Sequence, residues 1–345
     1  MFNRHFQILV LSIASIISHS ALAFNNDSTQ ETKFSPYVDV TLANITTWDQ
    51  ETNSMQPTGL YNVIKESGVN SLHLAFITAQ NGCNGTWAGY PVANEDNSFG
   101  IPVFKKLRQQ GVDLTVAFGG LNGEYLAQAC KTSEQLVSAY DNVIKAYNPS
   151  ALDFDIENSM QHDQAQLDRF FQAIKIIQAK YPKLPISLTL PVLPTGLVPS
   201  EGENVIQRAS INEFNDYAVN IMAMDYGPSF NNKSMAQNAM DAASNTVNQL
   251  QKYYPQQSEK LLWQRMQITP MIGLNDTAPL NFTLDDAAKL KSFALKKDIK
   301  LLSYWSISRD HSCLDNHVSL TCTSADPKTG LANQQYDYQY AKALK

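Results

Sequence analysis

Three carboxylic acids alternate with apolar residues in one short stretch of the chain, residues 151–157, which reads Ala-Leu-Asp-Phe-Asp-Ile-Glu. Successive side chains of an extended strand point to opposite faces, so Asp153, Asp155 and Glu157 share one face and the apolar side chains share the other. Aspartate is depleted in strands, and like charges about 7 Å apart repel each other, so this arrangement costs stability. We therefore interpret the three acids as a candidate reaction centre, in which a protonated carboxyl donates to a leaving oxygen.

Two other interpretations of residues 151–157 are open. Strict alternation is also typical of a half-buried antiparallel strand whose acids face water. Several carboxylates could also bind a hard cation, but calcium loops need a glycine turn and an irregular backbone, whereas the residues between these acids are large and apolar. We predict no metal and no cofactor.

The first residues of the chain have the layout of a secretory signal peptide. Arg4 precedes an apolar run, and small residues follow up to Ala23. The run is too short for an ordinary membrane span. The sequence therefore predicts a signal peptide at residues 1–23, cleaved near Ala23, and export to the periplasm or the extracellular space. A polar leader at residues 24–34 and a single domain at residues 35–345 complete the predicted organisation.

Four cysteines lie after the predicted signal peptide. Export to an oxidising compartment favours disulfides, and four cysteines allow three connectivities. We favour the pairs Cys83–Cys130 and Cys313–Cys322, the second because it closes a short polar loop; free buried thiols are the alternative. Zinc is not expected, because the sequence has no Cys-x-x-Cys pair with nearby histidines.

The charge balance bears on the partner. The formal net charge is −6, and without Arg4 the chain has 25 basic against 32 acidic groups, a net charge of −7. An acidic chain without a lysine or arginine run is not expected to bind nucleic acid or an anionic membrane. We expect a neutral partner, and the sequence leaves the oligomeric state open.

Strand-like and helix-like segments alternate along the rest of the chain. Eight strands are predicted near Tyr37–Leu42, Ser71–Thr78, Asp113–Gly119, Ala151–Glu157, Ile186–Pro191, Val219–Tyr226, Gln267–Ile272 and Leu301–Ser306. Apolar residues at helical spacing predict helices over Leu60–Ser67, Ile101–Gln110, Glu134–Tyr147, Gln164–Lys180, Val205–Phe214, Met235–Tyr253, Leu284–Lys296 and Tyr338–Leu344. Thr132 and Gln135 predict a capping box before the third helix. The alternation predicts an α/β fold, a single-domain (β/α)8 TIM barrel, whose catalytic groups gather at the carboxyl ends of the strands.

The acid stretch resembles the signature of glycoside hydrolase family 18, the family of many secreted chitinases, whose pattern is D-x-x-D-x-D-x-E. Asp153, Asp155 and Glu157 match its last three acids, and Ser150 stands where the first belongs. Further segments resemble motifs of the family's third, sixth and eighth strands and of its bacterial branch with a DFDIE core strand: residues 117–120, 222–226, 303–306, 270–276 and 307–310.

The resemblance implies roles for the acids and their neighbours. Glu157 would be the general acid that protonates the glycosidic oxygen and then the base for water. This family is an exception among glycosidases, because the N-acetyl group of the substrate is the nucleophile. Asp155 would orient that acetamide and stabilise the oxazolinium intermediate, with Asp153 behind it as electrostatic partner. Tyr226 would donate to the acetamide carbonyl, with Asp225 as a polar contact beside it.

The resemblance also implies a set of substrate-binding residues. Trp305 would form the apolar floor beneath the sugar, with packing in the core as the alternative. Arg309 could instead form a structural salt bridge, and the glycines could mark a tight strand end. The full predicted set is Met222, Asp225, Trp305, Phe76, Gly119, Gly120, Asn275 and Arg309.

Together with the signal-like first residues, the resemblance implies a secreted, chitinase-like glycoside hydrolase that cleaves β-1,4-linked N-acetylglucosamine chains with retention. Its predicted partner is chitin or another oligosaccharide that contains N-acetylglucosamine. An endo-β-N-acetylglucosaminidase acting on N-glycans shares this strand and mechanism, and loop shape would separate the two. A catalytically silent, chitin-binding lectin-like protein is the other alternative; such proteins typically lack the terminal acid, so Glu157 argues against it.

Overall fold

The computed structural model describes residues 32–93, 95–277 and 279–345. The predicted signal peptide at residues 1–23 and most of the predicted leader lie outside the described residues. In the ranges that are described, no helix combines the length and the apolarity needed to span a membrane.

Parallel strands alternate with helices and close into a barrel, as the sequence predicts. The first strand is in two pieces, Lys33–Phe34 and Tyr37–Asp39. The first piece pairs with the eighth strand and the second piece pairs with the second strand, which closes the ring. The other barrel strands of the described chain are Ser71–Gln80, Asp113–Gly119, Ala151–Asp155, Ile186–Leu193, Ala218–Ala223, Met266–Pro270 and Leu301–Leu302. The barrel thus begins at Lys33 instead of at residue 35.

Amphipathic helices cover the outside of the barrel. The α-helices of the described ranges are Leu60–Ser67, Ile101–Gln109, Leu126–Ala129, Ser133–Tyr147, Gln164–Lys180, Gly202–Ile211, Met235–Tyr253, Glu259–Gln264, Leu284–Lys297 and Gln339–Leu344. One of these helices illustrates how a capping residue starts a helix and how its apolar face packs on the barrel. Helix Gln164–Lys180 begins where the Asp163 carboxylate accepts a hydrogen bond from the Gln166 N–H. Its Phe170 ring then packs against Phe154 of the fourth strand, with centroids 5.0 Å apart.

Only half of the predicted capping box forms at the start of helix Ser133–Tyr147. The Thr132 hydroxyl accepts a hydrogen bond from the Gln135 N–H, as predicted. The Gln135 side chain, however, accepts from the Lys131 N–H. The predicted second bond is wrong because the glutamine side chain reaches one residue beyond Thr132.

The fourth strand sorts its side chains as the alternation predicts. Phe154 faces outward and stacks on Phe118 of the third strand, with ring centroids 5.1 Å apart. Asp153 and Asp155 lie on the opposite face and are buried. The strand ends at Asp155, earlier than predicted, because the chain turns after Glu157 into a 3-10 helix.

Both predicted disulfides form, Cys83–Cys130 and Cys313–Cys322. The first joins the loop beyond the second strand to the end of the short helix Leu126–Ala129. Loops after the barrel strands also carry short antiparallel pairs, which are Thr47–Asp49 with Ser54–Gln56, Asn84–Trp87 with Tyr90–Pro91, Gly273–Leu274 with Asn281–Phe282, and Gly196–Leu197 with the fifth strand. These loops belong to the end of the barrel at which the acids are found.

Candidate active site

The acids of the fourth strand form a column that runs from the barrel interior to its mouth. Asp153 is fully buried, Asp155 is 5% exposed, and Glu157 is half-buried just beyond the end of the strand. Asp225, from the segment that follows the sixth strand, is close enough for its charge to act on Glu157. The structure therefore brings these four predicted residues together.

Hydroxyl groups of the barrel interior hold Asp153. The Tyr37 hydroxyl donates to Oδ2 over 2.7 Å, and the Ser187 and Thr189 hydroxyls donate to Oδ1 over 2.5 and 2.7 Å. The Asn220 amide in turn donates to the hydroxyls of Tyr37 and Thr189. Both carboxylate oxygens of Asp153 therefore have donors from within the protein.

Sequence reasoning missed the residues that hold Asp153. A signal for three of them exists, because Ser187, Thr189 and Asn220 place polar groups within otherwise apolar strands. The pairing register sets Ser187 beside Asp153. Tyr37 carried no comparable signal, since aromatic residues are common in strands whatever their role.

Asp155 differs from its neighbour, because its Oδ1 atom is buried and accepts no hydrogen bond from any described residue. Burial raises the pKa of Asp155 well above its usual value, and the negative charges of Glu157 and Asp153 raise it further. Buried polar atoms normally have partners. This oxygen is therefore suited to accept a hydrogen bond from a ligand.

Glu157 has the electrostatics of a proton donor. Burial first, and then the charge of Asp225, raises the pKa of Glu157 to about 7. A carboxyl group with this pKa is partly protonated near neutral pH and can also act as a base.

Asn275 and Thr277 fix the position of Asp225. The Asp225 N–H donates to the side-chain oxygen of Asn275 over 3.2 Å, and the Thr277 N–H donates to Asp225 Oδ1 over 3.0 Å. Asn275 is predicted as a substrate contact, but it is fully buried and also donates to the Met271 and Gly273 carbonyls. Its contacts therefore make it a support for Asp225.

Aromatic residues complete the mouth of the barrel. Tyr226 is buried, and its hydroxyl has no hydrogen-bond partner among the described residues. Burial and the charge of Asp225 raise the pKa of Tyr226, so its hydroxyl stays protonated and can donate. The Trp305 and Phe76 rings stack with centroids 5.6 Å apart, and both pack on the buried Tyr37 ring. Both stacked rings are partly exposed, as a floor beneath a sugar requires.

The two predicted glycines serve close packing at the end of the third strand. Gly119 and Gly120 have φ angles of +92° and +84°, which disfavour other residues. A Cβ atom on Gly119 would collide with the Asp155 carbonyl oxygen, and one on Gly120 would press on the Phe76 ring. These contacts fit the alternative of a tight strand end. Met222, on the sixth strand, is partly exposed.

Arg309 lies inside the protein and is 1% exposed. Its guanidinium donates to the carbonyl oxygens of Ile272 and Leu274 over 3.1 and 2.7 Å, and also to that of Ser319. Across the described residues it forms no ion pair. These contacts correct both expectations for Arg309, because it holds loop backbone rather than a substrate or a carboxylate partner.

Ser150 lies at the opposite end of the fourth strand from Glu157. Its hydroxyl donates to the Asp113 carboxylate over 3.1 Å and accepts from the Leu114 N–H over 3.3 Å. The residue is exposed. Position 150, where the first acid of the pattern is missing, is therefore remote from the mouth, and none of the hydrogen bonds to Asp153 comes from it.

In the part of the chain that the structure describes, one group of three potential metal ligands lies close together, Cys313, Asp315 and Cys322. Its two cysteines form a disulfide, so they offer no thiolate. We assign no metal-binding residues from these contacts.

Comparison with known proteins gives consistent matches. The family model described as glycosyl hydrolases family 18 matches residues 40–342. The chain is 34% identical over 291 residues to the probable bifunctional chitinase/lysozyme of Escherichia coli (strain K12), covering 80% of this chain and 31% of that protein. It is 32% identical over 301 residues to endochitinase 11 of Metarhizium anisopliae, covering 83% of this chain and 55% of that protein. The chain thus spans less than two thirds of the length of either relative.

Solved structures show the same likeness. Active domain 2 of the chitinase from Pyrococcus furiosus is 32% identical to this chain, with a TM-score of 0.75. The match covers 91% of this chain and 94% of that one. A chitinase catalytic domain from the fern Peteris ryukyuensis, 14% identical with a TM-score of 0.51, shares the fold.

Proposed function

Because the chain belongs to glycosyl hydrolase family 18, we propose that it hydrolyses β-1,4-linked N-acetylglucosamine chains with retention of configuration. The observation that carries the proposal is the pair formed by Asp155, whose buried Oδ1 has no donor among the described residues, and Glu157, whose pKa is about 7. Catalytic site mutants of the Pyrococcus furiosus chitinase domain were solved in complex with chito-oligosaccharides, which supports a substrate of this class.

In the first step, Glu157 donates its proton to the glycosidic oxygen as the bond from that oxygen to the anomeric carbon breaks. The acetamide oxygen of the same sugar forms a bond to the anomeric carbon and yields an oxazolinium ion. In the second step, water attacks the anomeric carbon and gives its proton to Glu157, and the acetamide is restored. Two inversions leave the product with the configuration of the substrate.

Asp155 and Tyr226 hold the acetamide during these steps. Asp155 Oδ1 accepts the acetamide N–H, and the Tyr226 hydroxyl donates to the acetamide oxygen; both groups lack protein partners within the described chain. The charge of Glu157 is one cause of the raised pKa of Asp155. A protonated Glu157 therefore favours an ionised Asp155, which stabilises the positive oxazolinium ion.

The protein is proposed to act outside the cytoplasm, in the periplasm or beyond the cell. The signal-like layout of residues 1–23 supports export. The pairing of all four cysteines into disulfides supports an oxidising compartment.

Replacing the proton donor tests the proposal. The variant Glu157→Gln keeps the shape of the side chain and removes the transferable proton, so kcat should fall by about 1,000-fold or more. The measurement is release of a fluorophore from an N-acetylchitooligosaccharide glycoside, alongside calorimetric binding of the free oligosaccharide. The exposed Glu134→Gln is the matched control and should behave as the wild type.

Three outcomes separate the candidate functions. Loss of turnover with retained binding supports the hydrolase. Retained turnover in Glu157→Gln would rule out this residue as the general acid. Binding without turnover in the wild type as well would favour a lectin-like protein.

A further inference from the structure

The loop after the third strand reaches the backbone of Glu157. The Tyr125 hydroxyl accepts a hydrogen bond from the Glu157 N–H over 2.7 Å and donates to the Gly120 carbonyl over 3.0 Å. Tyr125 is 9% exposed, so water competes little for these bonds.

Tyr125 must be protonated to make both contacts. Burial first, and then the charge of Asp155, raises the pKa of Tyr125 well above its ordinary value. Its single proton goes to the Gly120 carbonyl, and a lone pair remains for the Glu157 N–H. The phenol thus joins the end of the third strand to the catalytic glutamate.

Glu157 lies beyond the end of the fourth strand, whereas Asp153 and Asp155 lie within it. The fourth strand ends at Asp155, and the last ladder-like bond is from the Ile156 N–H to the Thr189 carbonyl. After Glu157 the chain turns at Asn158, with a φ of 51°. The Tyr125 hydroxyl therefore satisfies the first backbone N–H beyond the reach of the sheet.

The loop that carries Tyr125 is itself anchored on two sides. On the side of the second strand, the Ala79 N–H donates to the Glu124 carbonyl over 2.7 Å, and Cys130 is bonded to Cys83. The Gln128 side chain accepts from the Tyr125 N–H over 3.0 Å.

On the side of the fourth strand, the same Gln128 amide donates to the Ser159 hydroxyl over 2.9 Å. The Asn158 side chain donates to the Leu121 carbonyl over 3.0 Å. The loop is therefore anchored on both sides, and it contacts the turn that follows Glu157 at Asn158 and Ser159.

We propose that Tyr125 is a positioning residue for Glu157, fixing the backbone from which the carboxyl reaches the glycosidic oxygen. This inference rests on the proposed function only for its catalytic consequence; the backbone contact can be measured without a substrate. A carboxyl that is free to shift transfers its proton less often in the productive geometry.

The variant Tyr125→Phe tests the proposal, because it keeps the ring and removes only the hydroxyl. We expect kcat for the chitooligosaccharide glycoside to fall about tenfold while KM stays within about twofold. Amide hydrogen exchange at Glu157 should accelerate by about tenfold when its acceptor is removed. The matched control is Tyr147→Phe, which removes another buried hydroxyl that donates to a backbone carbonyl, that of Phe99, over 3.1 Å.

The two readouts keep the inference separate from the proposed function. Faster exchange at Glu157 together with the loss in kcat, both absent from Tyr147→Phe, supports the positioning role. Unchanged exchange, or unchanged kcat in an active enzyme, overturns it. An equal loss of kcat in both variants would also overturn it, because the effect would then be general destabilisation. If the wild type shows no hydrolysis, the proposed function fails, and exchange at Glu157 alone decides the inference.

Discussion

Two buried acids at the same end of the barrel have opposite surroundings. After the eighth strand, Asp310 accepts hydrogen bonds from the Tyr304 hydroxyl over 2.9 Å and from the N–H groups of Tyr340 and Ala341 over 3.2 and 2.7 Å. On the fourth strand, Asp155 Oδ1 accepts none from the described residues. The Asp310 carboxylate is used by its own chain and stabilises the fold, whereas Asp155 Oδ1, without a donor among the described residues, is available to a ligand.

The sequence does not reveal this difference between the two regions. Arg309 and Asp310 follow a strand, as Glu157 does, and polar residues at strand ends are where substrate contacts are expected. In the structure, Asp310 caps the start of helix Gln339–Leu344, and Arg309 binds carbonyl groups of the seventh-strand loop. Their partners are up to 37 residues away in the chain, so spacing could not reveal them.

Among the substitutions Asp155→Asn, Asp225→Asn and Asp310→Asn, the first should lower kcat most. An amide cannot carry the negative charge that stabilises the oxazolinium ion, so kcat should fall by about 100-fold or more. Its stability should be unchanged or higher, because a neutral group replaces a buried acid whose Oδ1 has no donor among the described residues. Kinetics with the fluorogenic glycoside and thermal unfolding test this pair of expectations. Near-normal kcat in this variant would remove Asp155 from the mechanism.

Asp225→Asn should change the pH dependence of catalysis. Glu157 must be protonated to act as an acid, so kcat should fall as pH rises through about 7. The charge of Asp225 raises the pKa of Glu157, so removing that charge should move this fall to lower pH. The pH profile of kcat is the measurement, with the exposed Asp285→Asn as control. If the fall in kcat stays at the same pH or moves to higher pH, the charge of Asp225 does not raise the pKa of Glu157 as assigned.

Asp310→Asn should have the smallest effect on turnover, and its effect should be on stability. Replacing one acceptor oxygen by an NH2 group removes charge-assisted hydrogen bonds and should lower the free energy of unfolding by about 2 kcal/mol. Urea denaturation measures this, and kcat of the folded enzyme should stay within about twofold of the wild type. A large loss of kcat at normal stability would contradict the claim that Asp310 serves the fold and Asp155 serves catalysis.

Elements with strong local patterns were predictable from the sequence. The helices Leu60–Ser67, Gln164–Lys180 and Met235–Tyr253 have the predicted bounds, because apolar spacing and caps act within a few residues. The eighth strand is shorter than predicted, since regular pairing ends at Leu302. Residues 303–305 continue it through separate hydrogen bonds to both neighbouring strands, such as those from the Trp305 N–H to the Pro270 carbonyl and from the Tyr37 N–H to the Tyr304 carbonyl.

The site was predictable where it lies on one strand and not where distant segments meet. Asp153, Asp155 and Glu157 were evident from alternation, but Tyr37 lies 116 residues from Asp153 in the chain. Tyr125 lies 32 residues from Glu157. Such contacts are set by barrel closure and loop packing, which no local pattern records.

The stereochemistry of the first product tests the central claim most directly. If the substrate's acetamide is the nucleophile, proton NMR during early hydrolysis of a chitin oligosaccharide should show the β-anomer first, with the α-anomer appearing only at the rate of mutarotation. Direct attack by water at the anomeric carbon would instead give the α-anomer first. That result would contradict the roles given to Asp155 and Tyr226.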